Sequence, residues 1–323
     1  MRTWLTENLQ IEHPLVLAPM AGVAAGGLAA AVSEAGGLGM IGCGYTTTPQ
    51  WITEQSALAA APGKPFGIGL IGWTSDAEAL LPAIIGASPA LVSVSFGGDL
   101  SDYVAALHDV GIPVATQVGN MDEAREADGI GIDLLVARGG EGGGHGRDEI
   151  ATLPLLQAIL EELDTPVVAA GGIGTARGVA AVLAAGAEGA WIGTAFVATT
   201  QATTSAAMRQ AVVAAEVSDT VYTRVFDIAQ RLAWPTEYGA RALHNGLTQA
   251  WAGREDDLER AGAALTALSD QVIKARKDGD LDLAPVYAGQ AAGLVGSVRS
   301  AAEVVADLAG YQNLLRAAAD RLT

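Results

Sequence analysis

The chain has 323 residues, of which 50% are hydrophobic and 41 are glycine, so it can form a large buried core. Its formal net charge of −18 argues against binding to a phosphate backbone, because proteins that bind nucleic acids concentrate basic residues. The single cysteine, Cys43, excludes a disulfide scaffold and a cysteine-rich metal site, and we expect no metal.

Short apolar runs rich in β-branched residues recur along the first two-thirds of the chain and predict strands. They are residues 15–20, 38–42, 66–71, 91–96, 113–118, 134–139, 166–172 and 190–195. Helical segments lie between them, with capping residues such as Thr48, Ser75 and Ser101 at their starts and glycines such as Gly36 and Gly186 at their ends. Eight strands alternating with helices predict an α/β fold, the (β/α)8 TIM barrel.

The composition changes beyond residue 196, where aromatic and basic residues cluster between Tyr222 and Arg241. Here we predict helices over residues 201–216, 256–277 and 300–322. The predicted domains are a barrel over residues 1–206, a small, mostly helical insertion over 207–283 that forms a lid over the barrel mouth, and a segment over 284–323 that completes the barrel. The alternative is that residues 207–283 are an elaborated eighth βα unit.

A glycine-rich loop follows the sixth predicted strand. Six of the eight residues 139–146 are glycine, and the other two are Glu141 and His145. Glycine allows the backbone to approach a ligand closely, and histidine titrates near physiological pH. Because a barrel places its site at the C-terminal ends of its strands, we predict that His145 is a proton-transfer group beside a ligand. A surface loop with an incidental histidine is the alternative.

Glycines also end the seventh and eighth predicted strands. Gly172 follows one strand, and Gly193 and Thr194 follow the other. In a barrel these two loops often bind phosphate, and a helix that begins near Thr175 favours an anion at its N-terminus. We therefore predict a phosphate site here. The alternative role of the glycines is close packing of loop against helix.

Three further residues lie at predicted strand ends. Ala18 and Met20 form an apolar platform on which a flat ring could lie, although Met20 suits barrel packing equally well. Gln117 ends the fifth strand and directs an amide toward the mouth. Together with His145 and the phosphate site, these residues predict a phosphorylated aromatic cofactor with a proton-transfer group at its reactive end.

Five motifs occur in the order found in the FMN-dependent nitronate monooxygenases, formerly called 2-nitropropane dioxygenases, which the chain resembles over nearly its whole length. They are HPLVLAPMAG at 13–22, EGGGHG at 141–146, PVVAAGGI at 166–173, GAEGAWIGTAF at 186–196 and AGQAAGL at 288–294. The resemblance implies FMN, with its phosphate on Gly172, Gly193 and Thr194. It also implies that the isoalloxazine ring contacts Ala18, Met20, Gln117, Gly143 and Gly144.

The resemblance further implies that His145 is the catalytic base. It would remove a C–H proton from a nitroalkane, and the nitronate would be oxidised with O2 to an aldehyde or ketone plus nitrite. The expected partners are a small-molecule substrate and O2, with neither nucleic acid nor membrane. Because we find no signal peptide and no long apolar run, we expect a cytoplasmic protein. A homo-oligomer is compatible with the sequence.

The chain departs from the family pattern at three positions. Gln117 stands where some members have lysine, Gly69 where asparagine is common, and Gly142 where alanine is usual. We expect Gly69, at the end of the third strand, to leave room there. These changes bear more on the substrate and on flavin reactivity than on FMN binding. Arg138, at the end of the sixth strand, is a candidate partner for a flavin or substrate anion.

Three other functions compete with this interpretation. The nearest is an NAD(P)H-dependent reductase resembling the flavin-dependent enoyl-acyl carrier protein reductases. The sequence shows no evident basic patch that would hold the NADPH phosphate or an acyl carrier, which argues against this function. The second is an enzyme of the inosine-monophosphate dehydrogenase type, but that needs a thiolate on a barrel loop, and Cys43 is in the wrong place. The third is a non-catalytic barrel that binds a phosphorylated ligand. The other histidines, His13, His108 and His244, are expected to be structural or at the surface, the last two on helices.

Overall fold

A computed structural model describes residues 1–74 and 77–322. The strands it contains are β1 Leu15–Leu17, β2 Gly39–Gly42, β3 Phe66–Ile71, β4 Leu91–Ser95, β5 Val114–Val118, β6 Leu134–Arg138, β7 Gly144–His145, β8 Val167–Ala170, β9 Ala190–Ile192, β10 Thr220–Thr223 and β11 Ala240–Leu243. Eight of them form one parallel sheet in the order β1-β9-β8-β6-β5-β4-β3-β2. The predicted TIM barrel is confirmed, and each of its eight strands coincides with a predicted apolar run.

The sheet closes between its first and last strands. The Leu17 amide donates to the carbonyl of Leu38 at 2.9 Å, and the Leu38 amide donates to Leu15 at 2.8 Å. A single parallel bridge, between Val16 and Leu38, joins β1 to β2. The barrel is therefore held at this seam by few hydrogen bonds.

Side chains along each barrel strand alternate between the lumen and the helical layer. The lumen is filled by one apolar cluster that includes Val16, Met40, Leu91, Val136 and Trp191. Beyond this cluster, toward the C-terminal ends of the strands, the positions that line the hollow carry mostly small or polar side chains. They include Ala18, Gly69, Ser95, Gln117 and Gly193. The packed core therefore stops below the C-terminal ends of the strands and leaves a hollow there.

Helices cover the outside of the barrel, and others form much of residues 207–283. They are α1 Trp4–Asn8, α2 Gly26–Glu34, α3 Pro49–Ala60, α4 Ala77–Ala87, α5 Ser101–His108, α6 Met121–Gly129, α7 Thr152–Glu162, α8 Ala176–Ala184, α9 Thr194–Val197, α10 Ala206–Ala214, α11 Val225–Gln230, α12 Gly246–Trp251, α13 Glu255–Glu259, α14 Ala263–Asp278, α15 Ala301–Ala309 and α16 Tyr311–Ala319. The Thr48 hydroxyl caps α3, as predicted. The predicted start at Ser75 lies outside the described residues. None of the described helices is both long and apolar enough to cross a membrane.

We call residues 207–283 the lid segment. It contains helices, as expected, but also β10 and β11, which we did not predict, and these pair antiparallel. The strand β11 also pairs with β7, so that Ala240 lies opposite His145. The single helix expected over 256–277 is wrong, because Gly262, with a φ of 56°, separates α13 from α14.

The C-terminal part of the chain returns to the barrel wall, where α15 and α16 pack beside α2 and α8. The single helix expected over 300–322 is wrong, since it breaks between Ala309 and Tyr311 at Gly310. The Ser300 hydroxyl accepts from the Glu303 amide, and the Glu303 carboxylate accepts from the Ser300 amide, which gives α15 a capping box.

Candidate active site

A cavity of about 350 Å³ occupies the hollow at the C-terminal ends of the barrel strands. This volume lies in the range of small-molecule sites. The structure brings all nine predicted site residues together in its wall: Ala18, Met20, Gln117, Gly143, Gly144, His145, Gly172, Gly193 and Thr194. They come from five different strand ends, as expected for a barrel site.

Aromatic side chains form one side of the cavity. Trp234, from the lid segment, packs edge-on against Phe96, with ring centroids 5.1 Å apart, and against Tyr45 at 6.4 Å. Phe96 has a φ of 73°, a backbone conformation that is rare for an aromatic residue. Tyr287 lines the cavity, whereas Tyr238 does not, and its hydroxyl donates to Glu123 at 2.8 Å.

The imidazole of His145 is fixed on two sides. Its ring stacks on Trp234 with centroids 3.6 Å apart and planes 8° from parallel. Its Nε2 atom lies 2.9 Å from Oδ1 of Asp227, a residue of the lid segment. Both side chains are largely buried, with 11% and 5% of their surface exposed. The candidate base is therefore held in one orientation in the cavity wall.

The glycine loop around His145 is held by Arg138. Its guanidinium donates to the carbonyl oxygens of Gly142 at 2.8 Å, Gly144 at 2.9 Å and Arg147 at 3.1 Å. Burial lowers the pKa of this guanidinium to about 10, so it stays charged at neutral pH. Its donors are thus directed to the loop backbone, and the pairing of Arg138 with a flavin or substrate anion stays a prediction.

Two further contacts fix the ends of the same loop. The carboxylate of Glu141 accepts from the amide and the hydroxyl of Thr152, both at 3.0 Å. At the other end, the Tyr222 hydroxyl donates to the carbonyl of Gly146 at 2.9 Å and accepts from the amide of Gly239 at 2.8 Å. The loop is thus tied to the barrel on one side and to the lid segment on the other.

The predicted phosphate site offers free donors and space. Gly172 has a φ of 68°, and a Cβ placed on it would meet nothing closer than 3.7 Å. The Thr194 hydroxyl accepts from the amide of Gly289 at 2.9 Å, which leaves its own hydrogen free to donate. Trp191 also lines the cavity, but its indole N–H is buried without a partner among the described residues. These groups suit a ligand with several acceptor oxygens.

The segment from Ala18 to Met20 crosses the C-terminal ends of β2 and β3. It packs directly on two glycines of these strands, Gly42 and Gly69. A Cβ on Gly42 would lie 2.4 Å from the Met20 carbonyl carbon, and one on Gly69 would lie 2.3 Å from the Pro19 ring. We expected Gly69 to leave open room, but Pro19 occupies the space where an asparagine side chain would begin.

We predict that Gly69→Ala lowers the free energy of unfolding by about 1–3 kcal/mol, the usual cost of overpacking. The matched control is Gly86→Ala in α4, where an added Cβ meets nothing within 4 Å and where a gain of about 0.5–1 kcal/mol is expected. Urea unfolding of both variants measures the difference. An unchanged midpoint for Gly69→Ala contradicts the close contact with Pro19.

The charged groups in the cavity wall are cationic. Among the described lining residues there is no aspartate or glutamate, and the permanently charged ones are Arg138 and Arg276. Arg276 donates to the Gln230 amide oxygen and forms no ion pair with a described residue. In a chain with a net charge of −18, this distribution favours an anionic ligand.

The remaining reactive groups play other parts. Burial raises the pKa of the Cys43 thiol to about 12, so it offers no thiolate at neutral pH. His108 pairs with Asp133 at 2.8 Å, and His13 precedes β1 near Glu12. The helical placement of His244 is wrong, since it directly follows β11. The described residues contain no group of three or more side chains suited to a metal.

Asp227 was not predicted as a partner of His145. The two residues are 82 positions apart, and the pairing of β7 with β11 brings the lid segment beside the glycine loop. The available indication was a lone carboxylate in the otherwise apolar run of residues 225–229. Arg276 gave no comparable indication, because it lies on a helix with many exposed charges.

The chain matches the family model "Nitronate monooxygenase" over residues 2–80 and 81–310. The chain belongs to the nitronate monooxygenase family. A nitronate monooxygenase from Paraburkholderia phytofirmans is 32% identical over 350 residues, which cover 93% of this chain and 92% of the relative. The chain is therefore a flavin-dependent oxidoreductase that acts on a small molecule.

Two solved structures show how far the similarity extends. The nitroalkane oxidase of Streptomyces ansochromogenes matches with a TM-score of 0.82 and 29% identity, over 97% of this chain and 99% of that one. FabK from Thermotoga maritima matches with a TM-score of 0.84 and 29% identity, over 100% and 98%. Because the chain is similar to both structures, the similarity alone does not identify its substrate, which has to be inferred from the residues of the cavity.

Proposed function

We propose that the protein binds FMN and oxidises alkyl nitronates with O2 to an aldehyde or ketone plus nitrite. For neutral nitroalkanes, His145 first removes a proton from the carbon that bears the nitro group. The observation that carries this proposal is the position of His145, which is fixed in the wall of the cavity that Gly172, Gly193 and Thr194 also line.

The cavity suits FMN in three respects. Gly172, Gly193 and the free hydroxyl hydrogen of Thr194 would hold the phosphate. The apolar platform of Ala18 and Met20 lies beside that site, and Gln117, Gly143 and Gly144 complete the wall. When bound, FMN supplies the acceptor for substrate electrons and the centre that reacts with O2.

The chain's own residues provide position and charge. The Arg276 guanidinium attracts the negative charge of a nitronate, and the absence of lining carboxylates among the described residues prevents repulsion. Burial, and secondarily the charge of Asp227, raise the pKa of the Tyr45 and Tyr287 hydroxyls, which therefore remain protonated donors. Trp234 covers one face of His145 and limits the access of water.

The test is an anaerobic titration of the purified yellow protein with an alkyl nitronate, followed by visible spectroscopy. We expect the flavin absorption to bleach in proportion to added nitronate, and the alkanoate of equal chain length, which cannot be oxidised, to leave it unchanged. A flavin spectrum indifferent to nitronate contradicts the proposal. A protein that stays colourless when supplied with FMN supports a non-catalytic barrel instead.

A second candidate is an NAD(P)H-dependent enoyl reductase, which is favoured by the similarity to FabK. The same anaerobic cuvette separates the two functions. Rapid bleaching by NADPH, with no response to nitronate, supports the reductase. Bleaching by nitronate, with a response to NADPH slower by orders of magnitude, supports the nitronate monooxygenase.

A further inference from the structure

Asp227 is a buried carboxylate with a single hydrogen-bonding partner among the described residues. Its Oδ1 atom lies 2.9 Å from Nε2 of His145, and its Oδ2 atom is buried without a partner. Burying a charged group with so few partners costs free energy. The barrel does not need this carboxylate for its core, since Asp227 lies on α11 in the lid segment. Its position is better explained by what it does to His145.

The hydrogen bond determines which nitrogen of His145 carries the proton. An ionised carboxylate can only accept, so Nε2 must donate, and in the neutral ring the lone pair is then left on Nδ1. The Nδ1 atom has no hydrogen-bonding partner among the described residues. Unlike Oδ2 of Asp227, it is not fully buried. Because His145 lines the cavity, this lone pair is accessible to a ligand there.

We infer that Asp227 is a positioning residue that holds His145 as the Nε2–H tautomer and makes Nδ1 the atom that accepts the substrate proton. The inference rests on the proposed function for its chemistry. The stacking on Trp234, with the planes 8° apart, restrains the ring from leaving this hydrogen bond. Two residues of the lid segment thus orient a base that belongs to the barrel loop.

The first step moves one proton from the substrate carbon to the imidazole of His145. The C–H bond beside the nitro group breaks, its electron pair stays on the substrate as the nitronate, and the proton forms a bond to Nδ1. The resulting imidazolium keeps its Nε2–H bond to Asp227, whose negative charge stabilises it. The proton later leaves to water. No oxidant is needed in this step, because the redox chemistry follows it.

The kinetic test compares Asp227→Asn with the native holoenzyme. The asparagine amide can donate to Nε2 and so favours the opposite tautomer, with the proton on Nδ1. We expect kcat for a neutral nitroalkane to fall by about 10²- to 10⁴-fold, as when an orienting carboxylate is replaced in other histidine sites. We expect KM for the nitroalkane and the rate of oxidation of preformed nitronate to stay within about threefold of the native values. Neither substrate binding nor nitronate oxidation requires the base.

A second measurement does not depend on activity. The holoenzyme labelled with ¹⁵N-histidine is compared with His145→Asn, which identifies the imidazole signals of His145 among the four histidines. We expect a protonated Nε2 and an unprotonated Nδ1 in the native protein, and the reverse in Asp227→Asn. A native Nδ1 that carries the proton overturns the inference, as does native turnover of neutral nitroalkane by Asp227→Asn.

The two measurements separate failure of the inference from failure of the proposed function. If the native enzyme ignores nitroalkanes and nitronates but shows the Nε2–H tautomer, which Asp227→Asn reverses, then the positioning role stands and the substrate is wrong. Asp227→Glu is the conservative variant. Recovery of part of the nitroalkane activity in Asp227→Glu, with the native tautomer, supports positioning over a merely structural role.

Discussion

Replacement of His145 by asparagine is expected to lower the turnover of neutral nitroalkanes by about 10²- to 10⁴-fold, the usual contribution of a general base. Asparagine keeps an N–H donor for Asp227, so the buried carboxylate is not left without a partner. Loss of the stacking on Trp234 adds a stability cost of about 1 kcal/mol. Steady-state rates with a nitroalkane and with its preformed nitronate measure the effect.

The internal control for this variant is the nitronate itself. Since its proton has already been removed, we expect His145→Asn to oxidise it at close to the native rate and to bind FMN as the native protein does. If the variant turns over neutral nitroalkane at the native rate, the assignment of the base is wrong. Equal loss on both substrates points to a disturbed cavity.

The second large effect is expected for Gly172→Asp, which places a carboxylate at the proposed phosphate site. Two like charges about 4 Å apart repel by about 4 kcal/mol near a protein surface, which corresponds to FMN binding about 10³-fold weaker. The side chain has space, because nothing lies within 3.7 Å of the added Cβ. We therefore expect a folded, colourless protein, as measured by the ratio of flavin to protein absorbance after dialysis.

Gly172→Asn is the matched control. Asparagine has the same size as aspartate and must adopt the same backbone φ of 68° at this position. Both residues tolerate this conformation better than most others. We expect it to retain most of its flavin. A yellow 1:1 complex of Gly172→Asp rules out the proposed phosphate site, whereas loss of flavin from both variants indicates that space matters there more than charge.

The barrel and the composition of its cavity could be predicted because both depend on local patterns. A buried parallel strand is a short apolar run, and its end is marked by the glycines that bring the backbone to a ligand. His145 and Gly172 stand at such ends. The small sheet of β7, β10 and β11 escaped prediction, since its strands have only two to four residues and pair across long stretches of chain.

Contacts between distant segments account for the other differences. Gly69 seemed to leave room, but Pro19 from another βα loop fills the space above it. Arg138 seemed free for a ligand, but the loop that follows β6 folds back so that its carbonyls meet the guanidinium. In both cases the residue type was informative, and the partner that determines its role was fixed only by the folded chain.

The pairing of β7 with β11 has a consequence for how such an enzyme can diversify. The proposed phosphate site belongs to the ends of β8 and β9, whereas Asp227, Trp234 and Arg276 all belong to the lid segment. The residues of the proposed cofactor site are thus on different segments from those proposed to face the substrate and orient the base. We expect substitutions in the lid segment to change the substrate while the barrel keeps its cofactor.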